Sequence, residues 1–117
     1  MIKDKLDHMV TVTKDAGIPA TLDPPKITPP GAWICARRLD TETLPGFFTT
    51  VADVYLITRD TGIIPALETL DGMLESLIDA IHNDDALEIV SSALDESVTL
   101  PHGAAPLPAY RLSVNIS

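Results

Sequence analysis

The sequence contains little cysteine, few aromatic residues and, over much of its second half, no basic residue. Cys35 is the only cysteine among 117 residues, which excludes an intramolecular disulfide and any multi-cysteine zinc or iron–sulfur site. Because Cys35 lies in an apolar run, we expect a buried, unreactive thiol. No apolar run reaches the roughly 18 residues that would cross a membrane, and the charged start of the chain predicts no signal peptide.

Charge is distributed unevenly along the chain. Residues 1–59 carry 7 acidic and 7 basic side chains, whereas residues 60–110 carry 10 acidic and no basic ones. Only Arg111 adds a cation after that, so the net charge of −9 belongs to the second half. Because an acidic surface repels phosphate, we expect no specific affinity for nucleic acid. Such a protein could still surround DNA without binding it.

Hydrophobic spacing predicts two helices. Residues 2–16 place apolar side chains at helical intervals, and Gly17 followed by Pro19 predicts the end of that helix. Residues 64–82 form the second helix, because apolar residues recur three and four positions apart after Pro65. Its apolar stripe consists of Leu67, Leu70, Leu74, Leu77, Ile78 and Ile81.

Apolar and alternating segments predict four strands. They cover residues 32–38, 49–58, 88–94 and 110–116. Both faces of the segment 49–58 are largely apolar, so we expect the helices to cover one face and something else to cover the other. The segment 88–94 has an alternative, because Asp84 and Asp85 could instead cap a short helix there.

These elements predict one α+β domain over residues 1–117. Two helices would pack on a mostly antiparallel four-stranded sheet in the order α-β-β-α-β-β. Five prolines between positions 19 and 30 predict a stiff, polyproline-like connector over residues 19–31, because proline removes backbone donors and favours extended conformations.

One triplet, Asp60-Thr61-Gly62, matches the motif that carries the catalytic aspartate of aspartic proteases. That chemistry needs two close carboxylates that share a proton, each supplied by an apolar strand. Here Arg59 directly precedes the triplet and a helix follows within a few residues. We therefore interpret the triplet as a solvent-facing turn in which the glycine adopts a positive φ.

Other catalytic and cofactor-binding patterns do not occur in the sequence. The three histidines, His8, His82 and His102, lack the spacing of metal ligands. None of the six glycines belongs to a phosphate-binding loop or a nucleophile elbow. We expect a protein that is not an enzyme and that binds neither a metal nor a cofactor.

Two groups of residues are better suited to contacts with other molecules. The first is an acidic group without basic partners at helical spacing, which could be a solvated face, meet a basic partner or line a space that DNA passes through. It consists of Glu68, Asp71, Glu75, Asp79 and the turn residues Asp84 and Asp85. The second contains Phe47 and Phe48, which follow Pro45-Gly46 in a loop and suit exposed anchors of a protein–protein interface.

Two stretches carry a resemblance to a known family. The run from Asp60 to Leu74 and the ending from Leu107 to Val114 resemble the tail-terminator proteins of long-tailed, siphovirus-type bacteriophages, particularly those that infect actinobacteria. The similarity in layout extends from about residue 2 to the end of the chain.

The resemblance implies a structural protein of the virion tail or neck, assembled in the host cytoplasm. Its subunits would form a ring, usually a hexamer, that caps the tail tube, ends its polymerisation and joins it to the head–tail connector. The implied partners are other copies of this chain, the major tail-tube protein and the connector protein, with no membrane. DNA would pass through the ring without specific binding.

The resemblance also implies positions for the candidate residues. Residues 49–58, including Tyr55, would contribute to the subunit interface. The loop 40–48 and the turn 59–63, including Asp60, would contact tail or connector proteins, and the acidic group would line or flank the channel. The alternatives are another neck or head-completion protein, and a small α+β enzyme or ligand-binding module.

Overall fold

The computed structural model describes residues 2–41, 48–101 and 105–116, with the backbone alone at Asp40, Thr41, Phe48 and Asp95. The protein is α+β, as its sequence predicts. Its elements are α1 (Ile2–Asp15), β1 (Ala20–Thr21), β2 (Gly31–Thr41), β3 (Phe48–Ile57), α2 (Ile63–His82), β4 (Leu87–Val98) and β5 (Leu107–Ile116). A single 3₁₀ turn, Pro24–Lys26, separates β1 from β2.

The described strands form one sheet in the order β1-β2-β3-β5-β4. The four longer strands pair antiparallel, and each overlaps a strand that the sequence predicts. The expected four-stranded sheet and the order α-β-β-α-β-β are nevertheless wrong. Ala20–Thr21 forms a fifth, short strand that pairs parallel to β2, so the order is α-β-β-β-α-β-β.

The segment 19–31 is not a continuous polyproline-like connector. The Ala32 N–H donates to the Pro19 carbonyl at 2.8 Å, which brings the chain alongside the start of β2. Ile27 is buried against the sheet, with 5% of its surface exposed. Proline lacks a donor but keeps its carbonyl acceptor, which is why a proline-rich segment can still join a sheet edge.

Both helices pack on one face of the sheet. Met9 of α1 and Leu70 and Leu77 of α2 are buried against alternate residues of the central strands. The strand residues in this core include Ile34, Ala52, Val54, Leu56, Leu112 and Val114. Neither helix in the described part of the chain has the length and apolar character that would span a membrane.

Helix α1 ends as the sequence predicts. Gly17 adopts a φ of +88°, which favours glycine because other side chains are strained there. The Gly17 N–H donates to the Lys14 carbonyl at 2.9 Å, and the Ile18 N–H donates to the Thr13 carbonyl at 3.2 Å. This pair of hydrogen bonds is the Schellman motif, which satisfies the last carbonyls of a helix.

The second face of β3 is covered in part by the chain itself. Val51 and Ile57 point to this face and are almost fully buried. At one end of the face, Ile57 packs with Ile27 and Leu100. The prediction that both faces of β3 are covered is therefore confirmed at this end, and the cover consists of the proline-rich segment and the residues after β4.

Candidate functional site

The triplet Asp60-Thr61-Gly62 forms an exposed turn between β3 and α2. Gly62 has a φ of +101°, and its carbonyl accepts a hydrogen bond from the Ala66 N–H at 3.1 Å, which begins the helix. Asp60 is exposed. The sequence-based interpretation as a solvent-facing turn with glycine at a positive φ is confirmed.

This turn borders a groove between the start of α2 and the strands β4 and β5. The groove has a volume of about 180 Å³. The residues that line it include Ala66, Leu70 and Ala109, which are buried, together with the acidic residues Asp60 and Glu96. It is therefore an apolar groove with acidic groups beside it.

Exposed hydrophobic side chains surround the groove. The exposed fractions are 79% for Ile63, 41% for Leu67 and 54% for Leu94, and we call these three residues the groove patch. Leu67 belongs to the predicted apolar stripe of α2, but it lies on the groove instead of in the core. A grouped set of exposed hydrophobic residues on a small protein indicates a surface that another molecule covers.

The acidic residues of α2 do not share one environment. Glu68, Glu75 and Asp79 are exposed, and none of the three forms an ion pair within the part of the chain that the structure describes. Asp71 instead accepts a hydrogen bond from the Tyr110 hydroxyl at 3.0 Å, which links α2 to β5. Burial raises the pKa of Tyr110, and the hydrogen bond to Asp71 raises that pKa further.

Asp84 has a structural role in the turn before β4. One carboxylate oxygen accepts the Ala86 N–H at 2.9 Å, and the other lies 2.8 Å from Nε2 of His8 on α1. The next residue, Asp85, is exposed. The alternative in which these aspartates cap a short helix is wrong, because β4 begins at Leu87.

Of the aromatic candidates, only Tyr55 has a described side chain, and it lies away from the groove. Tyr55 is half-buried on the face of the sheet that the two helices do not cover, which we call the helix-free face. Its ring stacks on that of Trp33, with ring centroids 5.3 Å apart and an interplanar angle of 20°. Phe47 lies outside the described residues, and Phe48 is described only as the backbone partner of Thr41 in the sheet. The structure therefore places Tyr55 and Asp60 on two different surfaces.

The helix-free face also contains a polar network that the sequence did not indicate. Ser113 donates to Asp53 at 2.7 Å and accepts a hydrogen bond from Arg37 Nη1 at 3.2 Å. Arg37 Nη1 also lies 3.6 Å from the same oxygen of Asp53. Asp53 is only 6% exposed and Ser113 only 2%. The sequence feature that could have indicated this network is Asp53 itself, the one charged residue on an otherwise largely apolar strand.

Cys35 lies opposite Asp53 in the β2–β3 pairing. Burial raises the pKa of the Cys35 thiol, and the negative charge of Asp53 raises it further. The thiolate is the nucleophilic form, so a raised pKa leaves less of it at neutral pH. Cys35 is only partly buried, so the expectation of a fully buried thiol is wrong, whereas the raised pKa agrees with the expected low reactivity.

We expect iodoacetamide to alkylate Cys35 of the folded protein more slowly at pH 8 than Cys35 of the same protein in guanidinium chloride. Because the folded-state pKa is raised, the alkylation rate of the folded protein should still be rising at a pH where the rate of the unfolded protein has levelled off. Mass spectrometry of timed samples measures both rates. Equal rates in the two states would show that Cys35 is an accessible, ordinary thiol.

The described side chains also include no group of three or more His, Cys, Asp or Glu placed so as to hold a metal ion. The candidate surfaces for contacts with other molecules are therefore the groove patch, the acidic residues beside it and the helix-free face.

A scan of protein-family models finds none that matches this chain, and a search of curated proteins finds no match either.

Proposed function

We propose that this protein is a virion structural subunit that forms a ring, caps the bacteriophage tail tube, ends its polymerisation and joins it to the head–tail connector. The groove patch is the observation that carries the proposal. Ile63 and Leu94 expose most of their surface, and both line the groove together with Leu67. Their burial by a neighbouring protein would remove this apolar surface from water, which favours assembly.

The charge of the second half supports a ring that DNA passes through. Glu68, Glu75 and Asp79 are exposed on α2, and residues 60–110 contain no basic residue. Such a surface repels the DNA backbone, so DNA can move past it without being held. We place these carboxylates along or beside the channel.

Two separate surfaces support a ring more than a two-fold dimer. The groove lies on the helix side of the sheet, and the stacked pair Trp33 and Tyr55 lies on the other side. A closed ring is built from contacts that join two different patches of neighbouring subunits. The expected loop 40–48 is shorter than predicted, because residues 40 and 41 end β2 and Phe48 begins β3. The proposal takes the ring as a hexamer and places the segment 40–48, with Phe47 and Phe48, against the tail tube or the connector.

Electron microscopy of the purified protein mixed with tail tubes tests the proposal. We expect ring-shaped density at the head-proximal end of each tube, and tubes that no longer elongate when tail-tube protein is added. Binding to the portal side alone would favour the alternative of a neck or head-completion protein. Density along the tube or at its other end, or no binding at all, would contradict the proposed role.

The double variant Phe47→Ser, Phe48→Ser gives a second measure in the same experiment. We expect it to remain folded but to occupy fewer tube ends, since it lacks the aromatic anchors. Circular dichroism checks the fold, and counting capped tubes measures occupancy. Normal occupancy by the folded double variant would remove these two residues from the proposed interface.

A further inference from the structure

The groove beside α2 has a size that suits one protein side chain. Its volume of about 180 Å³ lies below the roughly 300–1,000 Å³ that is typical of pockets for small molecules. The residues that line it include buried apolar ones and the three exposed residues of the groove patch. A groove of this size and lining fits an apolar side chain of another protein better than a small molecule.

Local backbone structure presents the groove patch to solvent. Ile63 and Leu67 are four residues apart at the start of α2, which places them on the same side of the helix. On β4 the pairing register shifts by one residue, so that Leu94 and Asp95 together lie opposite Tyr110 of β5. A bulge of this kind redirects a side chain. The exposure of Leu94 therefore follows from the backbone of β4, and no described segment covers it.

Carboxylates outnumber cations around the groove. Asp60 and Glu96 line it, and none of the described basic residues does. Asp71 accepts a hydrogen bond from Tyr110, which also lines the groove. Asp60 is exposed and forms no ion pair within the described residues, whereas a carboxylate oxygen of Glu96 lies 3.5 Å from a guanidinium nitrogen of Arg111. The surroundings of this apolar groove therefore carry a net negative charge.

The arginines of the chain already have partners of their own. Arg59 directly precedes the exposed aspartate of the groove, but its Nε donates to the Pro29 carbonyl at 3.0 Å. Arg37 Nη1 lies 3.6 Å from Asp53, and Arg111 is the partner of the second carboxylate of the groove. A second copy of this chain therefore offers these cations only at the cost of contacts within its own fold. A different protein is the better source of a cation for the groove.

We propose that the groove binds an apolar side chain that is flanked by lysine or arginine and belongs to a different protein of the tail. The apolar side chain would leave water between Leu67 and Leu94, and a flanking cation would approach Asp60. The inference rests on the proposed function, because it takes the partner to be another component of the tail. Contacts between ring subunits then involve the helix-free face and the helix-side surface outside the groove.

Nuclear magnetic resonance titration with three capped heptapeptides tests this chemistry. GKKLKKG has one leucine between lysines, GKKSKKG replaces that leucine with serine, and GEELEEG replaces the lysines with glutamate. We expect GKKLKKG to shift the backbone amide signals around the groove in a saturable way, and the other two peptides to bind at least about fivefold more weakly. Added salt should weaken the binding of GKKLKKG, because salt screens the charges.

Three results of the titration would overturn the inference. The first is the absence of a saturable shift with GKKLKKG, and the second is equal binding of all three peptides. The third is a shift of the same amide signals with concentration in the protein alone, because it would identify a second copy as the occupant of the groove.

Two groove variants and two matched controls locate the binding on the protein. We expect Leu94→Ser to weaken GKKLKKG binding by about fivefold or more and Asp60→Asn by about twofold. Val90→Ser and Asp79→Asn change an exposed valine of β4 and an exposed carboxylate of α2 that do not line the groove, so both should bind like the wild type. The amide spectrum of each variant also checks its fold. Unchanged binding by Leu94→Ser, or equal weakening by the controls, would overturn the inference.

The peptide titration and the tube experiment fail in different ways. A protein that binds GKKLKKG at the groove but never caps a tube would contradict only the proposed function. A protein that caps tubes but binds none of the peptides would contradict only the chemistry inferred for the groove.

Discussion

Replacing Leu77 with alanine is expected to lower the free energy of unfolding by about 3 kcal/mol. Leu77 lies in the middle of α2, has no exposed surface and packs in the core between the helices and the sheet. The substitution removes buried methyl and methylene groups and leaves a cavity that the close-packed strands cannot fully close. A loss of this size is a large fraction of the stability of a small domain.

Leu67→Ala is the matched control, because it makes the same substitution on the same helix. Leu67 is 41% exposed and lines the groove, so its replacement should cost less than about 1 kcal/mol. Urea unfolding followed by circular dichroism measures both variants. Equal losses at the two positions would mean that α2 does not pack on the sheet through Leu77.

Replacing Asp53 with alanine is the second substitution with a large expected effect, about 2 kcal/mol of lost stability. Asp53 is 6% exposed and accepts the Ser113 hydroxyl at 2.7 Å. Its removal leaves that buried hydroxyl without its acceptor and leaves the Arg37 guanidinium without its neighbouring carboxylate. Arg37 is partly exposed and reaches water, which keeps the loss below that of a fully buried ion pair.

Two further variants separate the network from the effect of removing any aspartate. Asp53→Asn retains an oxygen that can accept from Ser113, so we expect it to lose less stability than Asp53→Ala. Asp79→Ala removes an exposed aspartate from α2 and should change stability by less than about 0.5 kcal/mol. Urea unfolding measures all three, and a loss for Asp53→Ala no greater than for Asp79→Ala would show that the network contributes nothing to stability.

The helices and the long strands could be predicted because their signals are local. Leu70, Leu77 and Ile81 recur on one side of a helix, and all three are buried in the structure. Each longer strand overlaps the segment that the sequence indicates. The short strand Ala20–Thr21 could not be predicted, because two residues carry no periodicity and its pairing depends on how the chain returns from the 3₁₀ turn.

The candidate site was predicted only in part. The exposed turn at Asp60 was expected, and the structure adds the groove beside it. Ile63 and Ile64 are apolar and begin a helix, so their sequence pattern resembles that of a core residue, yet both are largely exposed. The sequence placed Asp71 and Asp84 in one acidic group without contacts to the rest of the chain, but Asp71 accepts a hydrogen bond from Tyr110 and Asp84 contacts His8.

By itself, the sequence determined the α+β composition, the extent of both helices, the acidic second half and the turn at Gly62. These depend on backbone geometry over a few residues and on a simple count of charges. The tertiary structure alone decided the sheet order, the partner of Asp53 and the exposure of the groove patch. Asp53 and Ser113 are 60 positions apart in the chain, and β4 meets the start of α2 only after the chain has folded back. Such contacts depend on which distant segments pack together, and local periodicity holds no information about that choice.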